Sequence, residues 1–378
     1  MAIALANARV LSAQGWRDDV AVIVEDGGIL ELAARIPPNA EMHDLSGRIL
    51  LPGFIDCQVN GGGGVLFNDQ PTAEGIRAIR AAHRRFGTTG FLPTLISDTI
   101  EKMRAAIGAV EAAIAGNVPG ALGIHLEGPF LSHARKGVHA EKYLHAPDAS
   151  ELRVAESLRR GVTLLTLAPE CVPADQIRQL AQAGVIVSIG HSNADYATVR
   201  AALDAGARGF THLFNAMSPL TSRAPGVVGA ALDDPDSWCG VIVDGHHVDA
   251  ASLRVALRAK PRGKIFLVTD AMPPVGAADP SYVLNGETIT ARDGICQTAN
   301  GTLAGSALNM IDAVRNTINM LGVPLDEAAR MASTYPADFL GLGATHGRIQ
   351  VGCRATFTVL DQDLRVTETW IDGVRDIA

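Results

Sequence analysis

Between residues 50 and 270, short apolar and β-branched runs alternate with Ala-rich stretches whose apolar positions recur at helical spacing. The runs that predict strands are FIDCQV (54–59), GFLPTLI (90–96), LGIHLE (122–127) and VTLLTLA (162–168). They continue with VIVSIG (185–190), GFTHLF (209–214), CGVIVD (239–244) and KIFLVTD (264–270). Helical patterns such as TAEGIRAIRAAHRRFG (72–87) and ADQIRQLAQAG (174–184) lie between most of them and stop at glycine. SPLTSRAPG (218–226), after the sixth run, reads as a loop. Eight such repeats predict an α/β fold, a (β/α)8 TIM-like barrel, although an open doubly wound sheet satisfies the same alternation. The polar residues favour closure. Glu127, His191, His212 and Asp270 fall at or just after C-terminal strand ends, the rim where barrel sites are built. Residues so far apart in sequence converge only if the sheet closes.

The flanks have another rhythm. Short strand-like pieces with turn signals, such as VAVIVEDGGILEL (20–32), fill the first 50 residues, and GRIQVGCRATFTVLDQDLRVTETWIDG (347–373) repeats the style. Residues 1–50 and 347–378 are expected to form one small β-sandwich domain beside a catalytic barrel spanning 51–346. Within the barrel, 271–306 reads as an insertion with a hairpin in YVLNGETITARDGICQT (282–298), and ALNMIDAVRNTINML (307–321) and LDEAARMA (325–332) read as helices.

Composition narrows the partners. At 47% hydrophobic and 19% charged, the chain of 378 residues is a packed globular protein; aromatics are only 4%, so the core rests on Ala, Val, Leu and Ile. A net charge of −8 argues against coating nucleic acid or an anionic membrane, and a small anionic ligand would need a local cationic pocket. Five dispersed cysteines without a C-x-x-C pair read as thiols in a reducing compartment. With neither a secretion signal nor a membrane-spanning run evident, a cytoplasmic location is expected.

Glu127 ends an apolar strand in IHLEGPF (124–130), His191 stands at a strand end in SIGHSNAD (188–195), and His212 at another in FTHLFNAMSP (210–219). Each alone reads equally as a loop charge or a satisfied core histidine; Asn193 and Asp195 are available to cap the next helix. Together, one carboxylate and two imidazoles suit a zinc-like divalent ion with a position left open for water. Asp270, in VTDAMPP (268–274), offers a base at the barrel mouth.

HLEGPF, GHSNAD, THLFNAMSP, DGHHVD (244–249) and VTDA, in that order, closely resemble the N-acetylglucosamine-6-phosphate deacetylases of the amidohydrolase superfamily. PGFID (52–56), KGVHA (136–140), GTLAGSALNM (301–310) and YPADFLGL (335–342) also fit, so the resemblance spans essentially the whole chain. It implies Glu127, His191 and His212 as metal ligands, Asp270 as base and then acid, and His139 as the group that polarises the acetamide carbonyl. It also implies a substrate site for an amino-sugar phosphate: His247, backbone N–H groups of Asn215 and Ala216, and Arg223 reaching across a homodimer. Where many amidohydrolases carry H-x-H, this chain has Gln58-Val59-Asn60. Amides are poor ligands for such an ion, so one divalent metal per subunit is expected, zinc first with iron or cobalt also suitable, and the amides would face the second subsite, holding water. N-acetylgalactosamine 6-phosphate is the neighbouring alternative substrate.

Overall fold

The computed structural model describes residues 2–377. Eight parallel strands are hydrogen-bonded in sequence order: β1 (Phe54–Val59), β2 (Thr88–Ile96), β3 (Gly123–Glu127), β4 (Val162–Leu167), β5 (Ile186–Ile189), β6 (Gly209–Phe210), β7 (Trp238–Val241) and β8 (Ile265–Leu267). Helices such as Ala73–His83, Ile100–Ala115 and Ala174–Gln182 connect them, each presenting an apolar stripe to the sheet. The sheet closes. Asp270 N–H donates to Gln58 O at 3.0 Å, and Val59 pairs with Ala271 in parallel, so the fold is a (β/α)8 barrel rather than an open sheet.

The elements follow the sequence reading, but two strands are cut short, and KIFLVTD, expected over 264–270, is strand only at Ile265–Leu267. The run expected as 209–214 forms a strand only at Gly209–Phe210, because His212 (φ 33°) and Phe214 (φ 82°) turn left-handed. The loop expected at 218–226 lies outside regular structure until helix Gly226–Asp233. In the insertion the hairpin Ser281–Leu284/Glu287–Thr290 turns at Asn285-Gly286, and a second hairpin, Ile295–Gln297/Leu303–Ser306, follows it.

Strands from the two chain ends interleave as two further sheets. One holds Gly28–Ala33, Ala21–Glu25, Ile3–Ala6 and Glu41–Asp44; the other includes Val366–Ile371, Phe357–Leu360, Ile49–Pro52 and Arg9–Ser12. Leu5, Val22, Val24 and Ile29 pack against Val10, Leu50, Phe357 and Trp370 in a core separate from that of the barrel. Ile49–Pro52 passes directly into β1 through Gly53, where any Cβ would stand 2.1 Å from Thr89 Oγ1. Among the described residues no helix is long and apolar enough to cross a membrane.

The barrel seam holds a buried carboxyl. Asp56 accepts hydrogen bonds from Thr269 Oγ1 at 2.5 Å, Thr269 N at 3.2 Å and Gln58 N at 3.2 Å. Burial pushes this group up to about 7 even though those bonds favour its charged form. The folded state therefore binds a proton that the unfolded state has released, and stability falls as pH rises from about 4 to about 7. In urea titrations across that window, Asp56→Asn is expected to flatten this part of the curve, a difference of at most about 4 kcal/mol. Parallel pH curves for the variant and the parent would refute the assignment.

Candidate active site

At the C-terminal mouth of the barrel, the side-chain atoms of Glu127, His191 and His212 meet. Glu127, the last residue of β3, is buried, as are His191 and His212 just beyond β5 and β6. His212 Nε2 lies 3.1 Å from Glu127 Oε1 and 3.1 Å from His191 Nε2, and His191 Nε2 lies 3.3 Å from Glu127 Oε1. Four ligands at tetrahedral zinc distances stand about 3.3 Å apart, so this triangle has the edge lengths of one face of a zinc polyhedron. The tautomer agrees for His191: its Nδ1 donates to Arg135 O at 2.8 Å, leaving a lone pair on Nε2. Burial raises the Glu127 carboxyl, yet the adjacent imidazoles of His191 and His212 hold it well below the usual carboxylate range. The three residues fit a divalent ion on geometry, and His191 also by the hydrogen bond that orients its ring.

His139 also approaches, and Glu127, His139 and His191 can offer ligand atoms within 4.8 Å of one another. The hydrogen bonds of His139 argue for another task. Ser97 N–H donates to His139 Nδ1 at 3.3 Å, and Ser97 Oγ stands 2.7 Å from the same atom. With Nδ1 accepting, the ring proton sits on Nε2, which is then a donor and has no lone pair for a cation. Burial and the neighbouring His191 push His139 down to about 3, which keeps it neutral.

Asp270 follows β8 at φ 53° and lines the same cavity as the triangle. Gln58 Nε2 donates to Glu127 Oε1 at 3.0 Å and to Asp270 Oδ1 at 3.1 Å, while Asn60 Nδ2 donates to Asp270 Oδ1 at 2.6 Å. The amide nitrogens thus serve the two carboxylates directly, while Asn60 Oδ1 is buried with no partner among the described residues. Burial and nearby Glu127 push Asp270 up to about 6, against opposing contributions from His212, His247 and Asn60. A carboxyl in that range exchanges a proton readily near neutral pH.

A cavity of about 370 Å³ opens above these groups. His247 lines it, with Nδ1 held by Asp244 Oδ2 at 2.6 Å and Nε2 left unengaged. Asn215 and Ala216 line it too, but not as equals. Asn215 N–H is spent on His212 O at 3.0 Å, so of the two backbone groups expected to be on offer only Ala216 N–H, at φ 51°, lacks an acceptor among the described residues. Arg223 is exposed on its loop and does not line the cavity of its own chain.

Asp195 caps the helix Tyr196–Asp204 as expected, accepting from Thr198 N at 2.8 Å; Asn193 does not cap, and instead accepts from Arg135 Nε at 2.9 Å. His125 bonds to Thr94 and Thr166 in a layer beneath the site rather than to Glu127. Sequence reasoning missed Ser97, Asp244, Arg135, and the insertion residues Leu284, Thr302 and Leu303 that wall the cavity. Only Asp244 left a signal, three residues before His247 in DGHH.

Residues 49–375 match the amidohydrolase family. Over 373 residues the chain is 44% identical to an N-acetylgalactosamine-6-phosphate deacetylase from Shewanella sp. (strain ANA-3), covering 97% of this chain and 94% of the relative. It is 36% identical to an N-acetylglucosamine-6-phosphate deacetylase from Haemophilus influenzae, covering 99% of each. Among solved structures, N-acetylglucosamine-6-phosphate deacetylase from Pasteurella multocida superposes with a TM-score of 0.96 at 38% identity, covering 100% of both chains. An aspartate-to-alanine variant of the Mycobacterium smegmatis enzyme in complex with N-acetyl-D-glucosamine 6-phosphate gives 0.90 at 32% identity, covering 100% of this chain and 99% of that one.

The two possible trios separate by metal content. His212→Ala should lose its tightly held ion on dialysis, while His139→Ala should retain about one per chain, read by elemental analysis. The reverse pattern would make His139 the ligand and remove it from any donor role.

Proposed function

The chain belongs to the amidohydrolase family, and from that membership we propose that it hydrolyses the acetamide of N-acetyl-D-glucosamine 6-phosphate to D-glucosamine 6-phosphate and acetate. The observation that carries the reading is the triangle of Glu127, His191 and His212 with Asp270 lining the same cavity. Glu127, His191 and His212 would hold a single divalent ion, zinc by preference with iron or cobalt also suited, which would supply Lewis acidity toward water at neutral pH. Asp270 takes the proton from the attacking water and later delivers it to the departing amine, so the leaving group departs neutral. His139, its proton on Nε2, donates to the carbonyl oxygen as negative charge gathers there. The amide nitrogens of Gln58 and Asn60 hold Asp270 in place, and their neutral oxygens are poorer ligands for a second ion than imidazoles would be.

Phosphate sits at the other end of the cavity, with His247 and the Ala216 N–H, and Arg223 arrives from the partner of a homodimer. The barrel, 51–346, carries this chemistry, while the terminal sheets, 1–50 and 347–378, are structural. Free cysteines, four of the five buried, suit a reducing cytoplasm. The 44% identity to a galactosamine-type enzyme favours a second reading, with N-acetylgalactosamine 6-phosphate as substrate. Acetate release from the two epimers, compared as kcat/KM, tests both: the larger value names the substrate, and no release from either sinks the assignment.

Two variants probe the roles. Asp270→Asn should keep its ion and lose about 10³-fold or more in kcat, within the range a positioned acid–base group contributes; near-normal turnover would refute the proton shuttle. Arg223→Ala and Asp270→Asn chains should complement when co-expressed. Random pairing leaves about a quarter of all sites fully competent in a two-fold dimer, whereas an arginine serving its own subunit would give no recovery.

A further inference from the structure

One cationic side chain on the cavity wall has no task in the account so far. Arg135 ends a single 3-10 turn, His133–Arg135, and its carbonyl accepts from His191 Nδ1 at 2.8 Å, which ties its backbone to the ligand triangle. Its Nε donates to Asn193 Oδ1 at 2.9 Å. Asn193 is itself fixed, because its N–H donates to Glu170 Oε1 at 2.5 Å and Ser192 Oγ donates to Glu170 Oε2 at 2.6 Å. Ser192 N–H in turn donates to Ala216 O at 3.1 Å, so the clamp that aims Arg135 is continuous with the segment carrying the free Ala216 N–H.

Several arginines are committed to carboxylates. Arg200, Arg348 and Arg354 each face a carboxylate, Asp234, Asp338 and Asp372. The guanidinium of Arg135 has no carboxylate partner among the described residues, and its Nη1 and Nη2 groups have no acceptor there. It is also the only Lys or Arg among the residues lining the cavity, whose other full charges are the carboxylates Glu127 and Asp270. A half-buried guanidinium, oriented through one nitrogen and unspent at the other two, is a receptor for a bidentate oxyanion.

We propose that Arg135, aimed by Asn193 and Glu170, binds the anionic end of the substrate from the same subunit that holds the ligand triangle. The inference rests on the sugar-phosphate reading above. The test uses metal-loaded enzyme, with Arg135→Gln and the charge-retaining Arg135→Lys. Arg135→Gln should raise KM for the phosphorylated sugar about 10- to 100-fold with kcat changed far less, and Arg135→Lys should recover part of the loss. Loss of kcat/KM on unphosphorylated N-acetylglucosamine should be at least several-fold smaller. Equal losses on both sugars would make Arg135 a structural residue and overturn the proposal, as would an unchanged KM. Calorimetric titration with inorganic phosphate needs no turnover. It should show affinity lowered by a similar factor in Arg135→Gln and partly restored in Arg135→Lys, and equal affinity in all forms would again overturn the proposal. Failure of the parent enzyme to release acetate would count against the function, while the phosphate titration would still decide the role of Arg135.

Discussion

Glu127 and Asp270 bring two carboxylates to the mouth of one barrel, and a single amide nitrogen, Gln58 Nε2, stands 3.0 Å from one and 3.1 Å from the other. Two like charges in a buried site repel strongly unless each is compensated. The compensation is unequal. Glu127 faces two imidazoles and is held ionised, whereas Asp270 receives only neutral amide donors and is pushed up to about 6. One residue class thus divides into a permanent anion and a group able to trade a proton, with the division set by surroundings alone. The amides do more than fill space. Gln58 touches both carboxylates and Asn60 touches Asp270, and they lie on β1 and its extension, which closure of the barrel places beside β8.

The strand ends supply the aim. His191, His212 and Asp270 all adopt positive φ, at 47°, 33° and 53°, a region that costs a non-glycine residue of order 1–3 kcal/mol. Each strand stops there, and the side chain is turned away from the alternation a continuing strand would impose. The surrounding backbone bonds make the turns obligatory: Leu213 N–H is held by Gly240 O at 2.8 Å, and Ser306 N–H by Asp270 O at 2.9 Å. The strain lies where the chemistry lies, on a scaffold rigid enough to impose it.

Much of this was legible in the residues. The limits of β1 and of the helix Leu325–Ala332 follow the apolar pattern to the residue, because burial on two faces or at helical period leaves a direct trace. The convergence of Glu127, His191, His212 and Asp270 was legible from their places at strand ends. The shortness of β6 was not, since THLF reads as strand by propensity and only tertiary bonds force it left-handed. Nor could Asn193 be placed: an Asn three residues before a helix looks like a cap, and its bond to Arg135 spans 58 positions of sequence. That the amide nitrogens of Gln58 and Asn60 donate to Glu127 and Asp270 was not legible, because a single strand does not reveal which carboxylates stand opposite it.

The charge layout of the cavity gives the proposed substrate a direction. The chain carries a net charge of −8, so its field at a distance disfavours an approaching phosphate, and attraction must act within the Debye length of about 8–10 Å. Inside the cavity the carboxylates Glu127 and Asp270 lie deep, while Arg135 stands on the wall beside a clamp that reaches Ala216. A sugar phosphate entering with its anion inward would set phosphate against two carboxylates; entering the other way, it meets a guanidinium and an unspent backbone N–H. The same arrangement that prevents the two acids from sharing an environment therefore also fixes which end of the ligand reaches them, and the acetamide is the end left to face the triangle.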